Sequence, residues 1–137
     1  MQILTWNEGL NIGIDVIDAQ HRTIADNLNR LARVRHEGGG SKELEQVFEQ
    51  TADYALFHFG FEEELLEEAG YELLSSHRRA HAVFVDRVRE LQDRFRAGEN
   101  TSEALHALLA DWLFNHIRHE DRAYVDTVRA YMAGPRS

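Results

Sequence analysis

Four segments of the chain carry apolar residues at three- and four-residue spacing, the pattern of helices that bury one face. They run over about 18–36, 41–69 and 73–97, and a fourth segment starts near residue 102. The predicted buried stripes contain Ile24, Leu28 and Leu31 in the first segment, Leu44, Phe48 and Ala55 in the second, Phe84, Val88 and Leu91 in the third, and Leu105 and Leu109 in the fourth. The pattern therefore predicts four amphipathic helices.

The predicted helices are separated by short segments rich in glycine and in residues that cap helices, at 38–40, 69–70 and 98–101. Glycine readily takes the left-handed conformation that ends a helix. The only proline is Pro135, so proline breaks none of the predicted helices from within. Short connections make consecutive helices antiparallel. The sequence therefore predicts an all-α fold, an up-down-up-down four-helix bundle.

Two further segments flank the predicted bundle, which is expected over about 18–120. Residues 1–17 are expected to form an irregular N-terminal arm whose apolar residues lie along the bundle surface. Apolar residues at helical spacing predict a short C-terminal helix over about 121–132. A chain of 137 residues has the usual size of one domain and shows no internal repeat, so we expect a single domain over 1–137.

Composition excludes several classes of function. The absence of cysteine removes disulfides, thiolate metal sites and cysteine nucleophiles. The 15 basic residues are scattered among 24 acidic ones, and the formal net charge of −9 argues against nucleic acid as a partner. The start has neither a basic segment nor a long apolar run, so no membrane insertion is expected. The simplest interpretation is a cytoplasmic protein, and the sequence names no protein partner.

Histidines and acids occupy the apolar stripes of all four predicted helices, where a buried polar group needs a partner. His58 and Glu62 are four residues apart, as are His77 and His81, so each pair projects from one helix face on consecutive turns. His21 lies on the stripe of the first helix, and the fourth helix carries His116 one turn after its tryptophan, Trp112. Imidazole and carboxylate ligands suit iron, zinc, copper or manganese. The set predicts a buried metal site.

The spacing does not decide which of two neighbouring acids is the last ligand. Glu120 follows His116 by four residues and would share its helix face, whereas Asp121 follows by five and would not on a regular helix. Two further histidines have structural interpretations: His36 lies at a predicted helix C-terminus, and His106 is expected on a solvated flank. His119 is a candidate outer or substitute ligand.

In this order the residues resemble the signature of the hemerythrin family, and in particular of its bacterial members. The matching motifs are Gln20-His21, His58-Phe-Gly-Phe-Glu62, His77-Arg-Arg-Ala-His81 and His116-Ile-Arg-His-Glu-Asp121, with Trp6, Gly13, Ile17, Asp18, Phe59 and Trp112 at the usual offsets. The resemblance covers about residues 6–124. Myohemerythrin is itself an example of the four-helix bundle, so the resemblance and the fold prediction overlap.

The resemblance implies a cofactor of two iron ions (Fe2+/Fe3+) joined by a bridging oxo or hydroxo group. It implies that His77, His81 and His116 bind one iron, that His21 and His58 bind the other, and that Glu62 and Asp121 bridge both. It thus selects Asp121 over Glu120, which requires the fourth helix to distort, as at a π-bulge. One iron then keeps an open position for a small ligand.

Apolar residues within one turn of the predicted ligands are expected to wall that open position: Ile24, Phe59, Trp112, Leu113 and Ile117. Such a wall excludes water and offers no proton donor, which favours reversible binding of a neutral diatomic over hydrolysis. With the resemblance, this predicts a non-enzymatic protein that binds dioxygen, as a carrier, store or sensor domain. The alternatives are a di-iron oxidase or peroxidase and a nitric-oxide or iron-binding protein.

Overall fold

The computed structural model describes residues 3–6, 8–36, 41–117 and 121–134, apart from the side chains of residues 41 and 116. Four helices form a bundle, and a short fifth helix follows: α1 (Asp15–His36), α2 (Ser41–Glu68), α3 (Leu74–Arg96), α4 (Ser102–Asp111) and α5 (Val125–Met132). No strand occurs in these residues, and none of their helices is long and apolar enough to cross a membrane. The predicted all-α four-helix bundle is confirmed.

The apolar faces of the four long helices meet in one core. α1 packs on α2 and α4, and α3 packs on the same two helices, so each helix has two neighbours. Ile24, Leu28, Ala55, Val88 and Leu109 are buried in a common cluster. Each large apolar side chain buried in this way contributes about 1.5–3 kcal/mol. This apolar packing fixes the helices around the polar residues that share the same stripes.

The fourth helix is distorted directly after α4. Residues Trp112–His116 form a π-helical turn, in which the N–H of Ile117 donates to the carbonyl of Trp112, five residues back. A π-turn holds one more residue than an α-helical turn, so it shifts the register of all that follows. Trp112 and Ile117 are both buried as a result. The distortion was predicted between His116 and Asp121; the π-turn distorts the helix directly before that stretch, of which residues 118–120 lie outside the described part of the chain.

The N-terminal arm is tied to the bundle by polar contacts. The side chain of Asp18 accepts hydrogen bonds from the N–H groups of Ile12 (2.7 Å) and Gly13 (3.0 Å). On the other side, the Arg129 guanidinium of α5 donates to the carbonyl of Gly13 at 3.0 Å. Gly13 has a φ of 93°, which favours glycine. These contacts let α1 begin at Asp15, three residues before its predicted start.

Candidate metal centre

Six of the seven predicted ligands come together in the middle of the bundle. His21 comes from α1, His58 and Glu62 from α2, His77 and His81 from α3, and Asp121 from the segment between the π-turn and α5. They form two overlapping groups able to hold a metal ion: Glu62, His77, His81 and Asp121 in one, and His21, His58 and Glu62 in the other. The side chain of His116 lies outside the described part of the chain, as do Glu120 and His119.

The Glu62 carboxylate divides its two oxygens between the two groups. Oε1 lies 2.5 Å from Nε2 of His77 and 3.1 Å from Nε2 of His81. Oε2 lies 3.2 Å from Nε2 of His58 and 4.0 Å from Nε2 of His21. A carboxylate that offers one oxygen to each of two sets of imidazole nitrogens has the arrangement of a bridging ligand.

The Asp121 carboxylate repeats this division from the opposite end of the chain. Its Oδ2 lies 3.3 Å from Nε2 of His21, and its Oδ1 lies 3.8 Å from Nε2 of His77. The two carboxylates therefore face the same two sets of histidines. Asp121 is almost fully buried, and its N–H donates a hydrogen bond to the carbonyl of Ile117 at 3.0 Å.

Polar atoms that face this centre lack partners within the described part of the chain. Nε2 of His21, His58 and His81, Oε2 of Glu62 and Oδ2 of Asp121 are buried and accept or donate no hydrogen bond there. Buried polar groups in native proteins are nearly always satisfied. Unpartnered nitrogen and oxygen atoms a few ångströms apart fit metal ions placed between them, so the donor set fits a metal centre.

Burial and mutual contacts set the charges of these groups. Burial lowers the pKa of His58 to about 4, so its imidazole is neutral at pH 7. Burial alone would raise the pKa of Glu62, but the facing histidines, His58 foremost, hold it well below its ordinary value. Burial, followed by the charge of Glu62, raises the pKa of Asp121 to about 7. The neutral imidazole of His58 beside two buried acidic side chains contributes to a site suited to cations.

Comparison with known sequences identifies the protein family to which this set of ligands belongs. The hemerythrin HHE cation binding domain matches residues 12–128. A bacteriohemerythrin of Stenotrophomonas maltophilia is 48% identical over 132 residues, which cover 96% of this chain and 86% of that protein. One of Methylococcus capsulatus is 33% identical over 128 residues, covering 90% of this chain and 95% of its own. The chain belongs to the hemerythrin family.

Solved structures of hemerythrins share the fold. A crystal structure of wild-type hemerythrin is 28% identical and has a TM-score of 0.82 over 93% of this chain and 98% of its own. A variant of hemerythrin in which a leucine is replaced by tyrosine gives a TM-score of 0.83 at 27% identity. Hemerythrins are non-haem di-iron proteins. The two overlapping ligand groups, joined through Glu62, fit a di-iron centre of this family.

Aromatic rings pack against the histidines of the centre. The ring of Trp112 lies 5.4 Å from those of His21 and His58, and the ring of Phe59 lies 4.7 Å from that of His81, between centroids. Ile24, Leu113 and Ile117 are buried in the same apolar cluster as these rings. All five residues predicted to wall the open position are thus buried in the core. Their role as a wall around a bound ligand stays a prediction.

Two residues next to the centre were not among the predicted site residues. Gln20 is buried, and its Oε1 accepts a hydrogen bond from Nδ1–H of His58 at 2.7 Å. Tyr124 is fully buried with its ring 5.5 Å from that of His77, and burial raises the pKa of its hydroxyl, so it stays protonated. Gln20 had a detectable signal, because a polar residue four before Ile24 and three after Ile17 is in phase with the buried stripe.

The prediction for His106 is wrong, whereas the placement of His36 is confirmed. His36 is exposed at the end of α1. His106 was expected on a solvated flank, but only 5% of it is exposed. α4 packs against both α1 and α3, so it buries a stripe wide enough to include His106 beside Leu105 and Leu109. The buried face of α4 is therefore wider than the prediction for His106 assumed.

Proposed function

We propose that this chain binds dioxygen reversibly at a pair of iron ions held in the centre of the bundle. His77 and His81, with His116, would hold one iron, and His21 and His58 would hold the other. Glu62 and Asp121 would bridge them. The observation that carries the proposal is the Glu62 carboxylate, whose two oxygens face separate histidine sets at 3.1 and 3.2 Å.

Unequal numbers of histidines give the two positions different roles. The three-histidine position would be filled by protein ligands and a bridging oxygen, whereas the two-histidine position would keep a coordination site open. When bound, the iron pair supplies that open site and two electrons that can be lent to dioxygen. The protein's part would be to hold the imidazoles and the two acidic side chains close together before any metal arrives.

The surroundings of the centre favour binding over further chemistry. Trp112, Phe59, Leu113 and Ile117 are each at most 1% exposed, so the side chains around the histidines are shielded from bulk water. Hydrolysis would require a water and a positioned acid or base at the open site. An apolar, water-poor surrounding instead suits a neutral diatomic ligand that must leave unchanged. This chemistry serves an oxygen carrier, store or sensor domain alike.

Metal analysis and absorption spectroscopy together test the proposal. The protein is loaded with ferrous iron without oxygen, and spectra are recorded before oxygen is added, in oxygen, and after oxygen is removed. We expect two irons per chain and an oxygenated spectrum that disappears when oxygen is removed. Immediate oxidation with release of peroxide would favour an oxidase or peroxidase instead. Iron uptake with no response to oxygen, but with a response to nitric oxide, would favour the nitric-oxide-binding alternative.

A further inference from the structure

Gln20 connects α1 to a histidine of α2 beneath the metal centre. Its Oε1 accepts a hydrogen bond of 2.7 Å from Nδ1–H of His58, and both side chains are buried. The other ring nitrogen of His58, Nε2, faces Oε2 of Glu62 at 3.2 Å. The imidazole ring is therefore held from behind by an amide while its opposite nitrogen faces the centre.

This arrangement decides which nitrogen of His58 can bind a metal. An imidazole binds through Nε2 only when that nitrogen carries no proton, and the ring proton then lies on Nδ1. A hydrogen bond from Nδ1–H to a fixed acceptor stabilises that tautomer and restricts rotation of the ring. We propose that Gln20 is the positioning residue of the two-histidine iron position, since it holds His58 in the tautomer and orientation that bind metal. This inference rests on the proposed di-iron site.

Nδ1 of His58, in the two-histidine position, and Nδ1 of His81, in the other iron position, face groups of different charge. Nδ1 of His81 makes no hydrogen bond in the described part of the chain and lies 3.9 Å from Oε2 of Glu63, a carboxylate that in turn pairs with Arg78 at 3.8 Å. A carboxylate behind an imidazole makes the ring a more basic ligand than a neutral amide does. The uncharged Gln20 therefore adds no negative charge at the position with the open site, which favours retention of the reduced metal there.

The amide at position 20 has two separable properties, the ability to accept a hydrogen bond and the absence of charge. Gln20→Met keeps the length of the side chain and removes the acceptor. Gln20→Glu keeps the acceptor and adds a negative charge. Gln92→Met is a matched control, because Gln92 is another buried glutamine whose amide bonds to Glu49 and Asp53 rather than to a predicted ligand.

Each full-length variant is loaded with ferrous iron without oxygen, and three quantities are measured: the rate of iron release to a ferrous chelator, the midpoint potential, and the thermal unfolding temperature. We expect Gln20→Met to release iron about 10- to 100-fold faster than wild type, the usual effect of losing an outer partner of a metal ligand. Gln20→Glu should release iron near the wild-type rate and shift the midpoint potential to more negative values, because added negative charge favours ferric iron. Gln92→Met should match wild type in release and potential.

Several results would overturn the inference. Wild-type iron retention in Gln20→Met would show that the acceptor does nothing for the metal. Equal acceleration of release in Gln20→Met and Gln92→Met would show that loss of a buried amide acts through general stability. If Gln20→Glu fails to fold, the comparison of these two methionine variants decides alone.

The oxygen spectrum separates this inference from the proposed function. A wild type that holds two irons and shows no oxygenated spectrum removes the proposed function, yet faster release from Gln20→Met would still support the role of Gln20. A wild type that binds oxygen while Gln20→Met keeps its iron removes only the role of Gln20. A wild type that takes up no iron removes both.

Discussion

Asp121 lies with its Oδ2 3.3 Å from Nε2 of His21, so a residue after the π-turn meets one from the first helix of the bundle. Both side chains are at most 1% exposed. The contact joins α1 to the segment between the π-turn and α5, and it places the second carboxylate opposite Glu62. Among the described residues that follow the π-turn, Asp121 is therefore the acid that reaches the centre.

Replacing Asp121 with alanine should remove this second carboxylate and disrupt the iron pair. We expect Asp121→Ala to bind fewer than two irons per chain and to lose the absorption of the bridged iron pair. The reason is that, in the proposed site, each iron loses one ligand when this bridge is removed. Metal analysis and the absorption spectrum after reconstitution measure both effects.

Glu120→Ala is the matched control for that variant, because regular helical spacing from His116 would select Glu120 instead. It should keep two irons and leave the spectrum largely intact. If Glu120→Ala lost the spectrum while Asp121→Ala kept it, the assignment of the bridge to Asp121 would be wrong.

Removing the metal should destabilise the fold. Without a cation, the buried Asp121 carboxylate faces the charge of Glu62, and burial together with that charge raises the pKa of Asp121 to about 7, so its ionised form is disfavoured in the folded protein. We expect the iron-free protein to unfold at a distinctly lower temperature than the iron-loaded protein, measured by circular dichroism. Asp121→Asn in the iron-free state should recover part of the loss, since it removes that disfavoured charge. Identical unfolding temperatures with and without iron would contradict this account.

Widening the apolar surroundings of the centre should shorten the life of the oxygenated form. Leu113→Ala leaves a cavity beside the π-turn, and a cavity next to polar groups admits water. Water supplies the proton access that turns reversible binding into irreversible oxidation. We expect the oxygenated spectrum of Leu113→Ala to decay faster than that of wild type, with a smaller change in oxygen affinity.

Leu91→Ala is the control for the leucine variant. Leu91 is equally buried but lies near the far end of α3, ten residues after His81. Both substitutions should cost about 2–5 kcal/mol of stability. Only the one near the centre should speed the decay. Equal decay rates in the two variants would leave Leu113 as an ordinary core residue.

Gly13→Ala should loosen the N-terminal arm. A Cβ at this position would lie 2.4 Å from Nη2 of Arg129, and the φ of 93° strains any other residue. We expect a loss of about 1–2 kcal/mol in the free energy of unfolding from the backbone strain, measured by urea denaturation. Gly60→Ala is the contrasting variant, because a Cβ there meets nothing within 4 Å. Within α2 it should stabilise by about 0.5–1 kcal/mol.

The sequence predicted the bundle well because its helices are long and strongly periodic. Most residues at the centre were also predictable, because they lie in phase with buried apolar residues of their helices, such as Ile24 in α1 and Phe84 in α3. These residues are His21, His58, Glu62, His77 and His81. Periodicity on one helix is a local property, and it needs no knowledge of the neighbouring helices.

Asp121 shows what periodicity cannot supply. On a regular helix its spacing from His116 points it away from the centre, and the π-turn at Trp112–His116 shows that the helix is not regular just before that stretch. The family resemblance selected it, and spacing alone would have selected Glu120. The predicted exposure of His106 was wrong for a related reason, because the width of the buried stripe on α4 depends on the contacts of α4 with both α1 and α3. Such contacts exist only once the bundle is assembled.

The late position of Asp121 in the chain gives the site an order of assembly during synthesis. A ribosome has already produced His21, His58, Glu62, His77 and His81 when Asp121 is still to be added. Until then the candidate metal centre lacks one of its two carboxylates and the contact of that carboxylate with His21. Arg122 and Arg129, which follow Asp121 in the chain, donate hydrogen bonds to the carbonyls of Gly9 and Gly13 in the arm. The arm that precedes the first ligand and the segment that carries Asp121 are thus bonded to each other, and this contact helps to hold the second carboxylate at the centre.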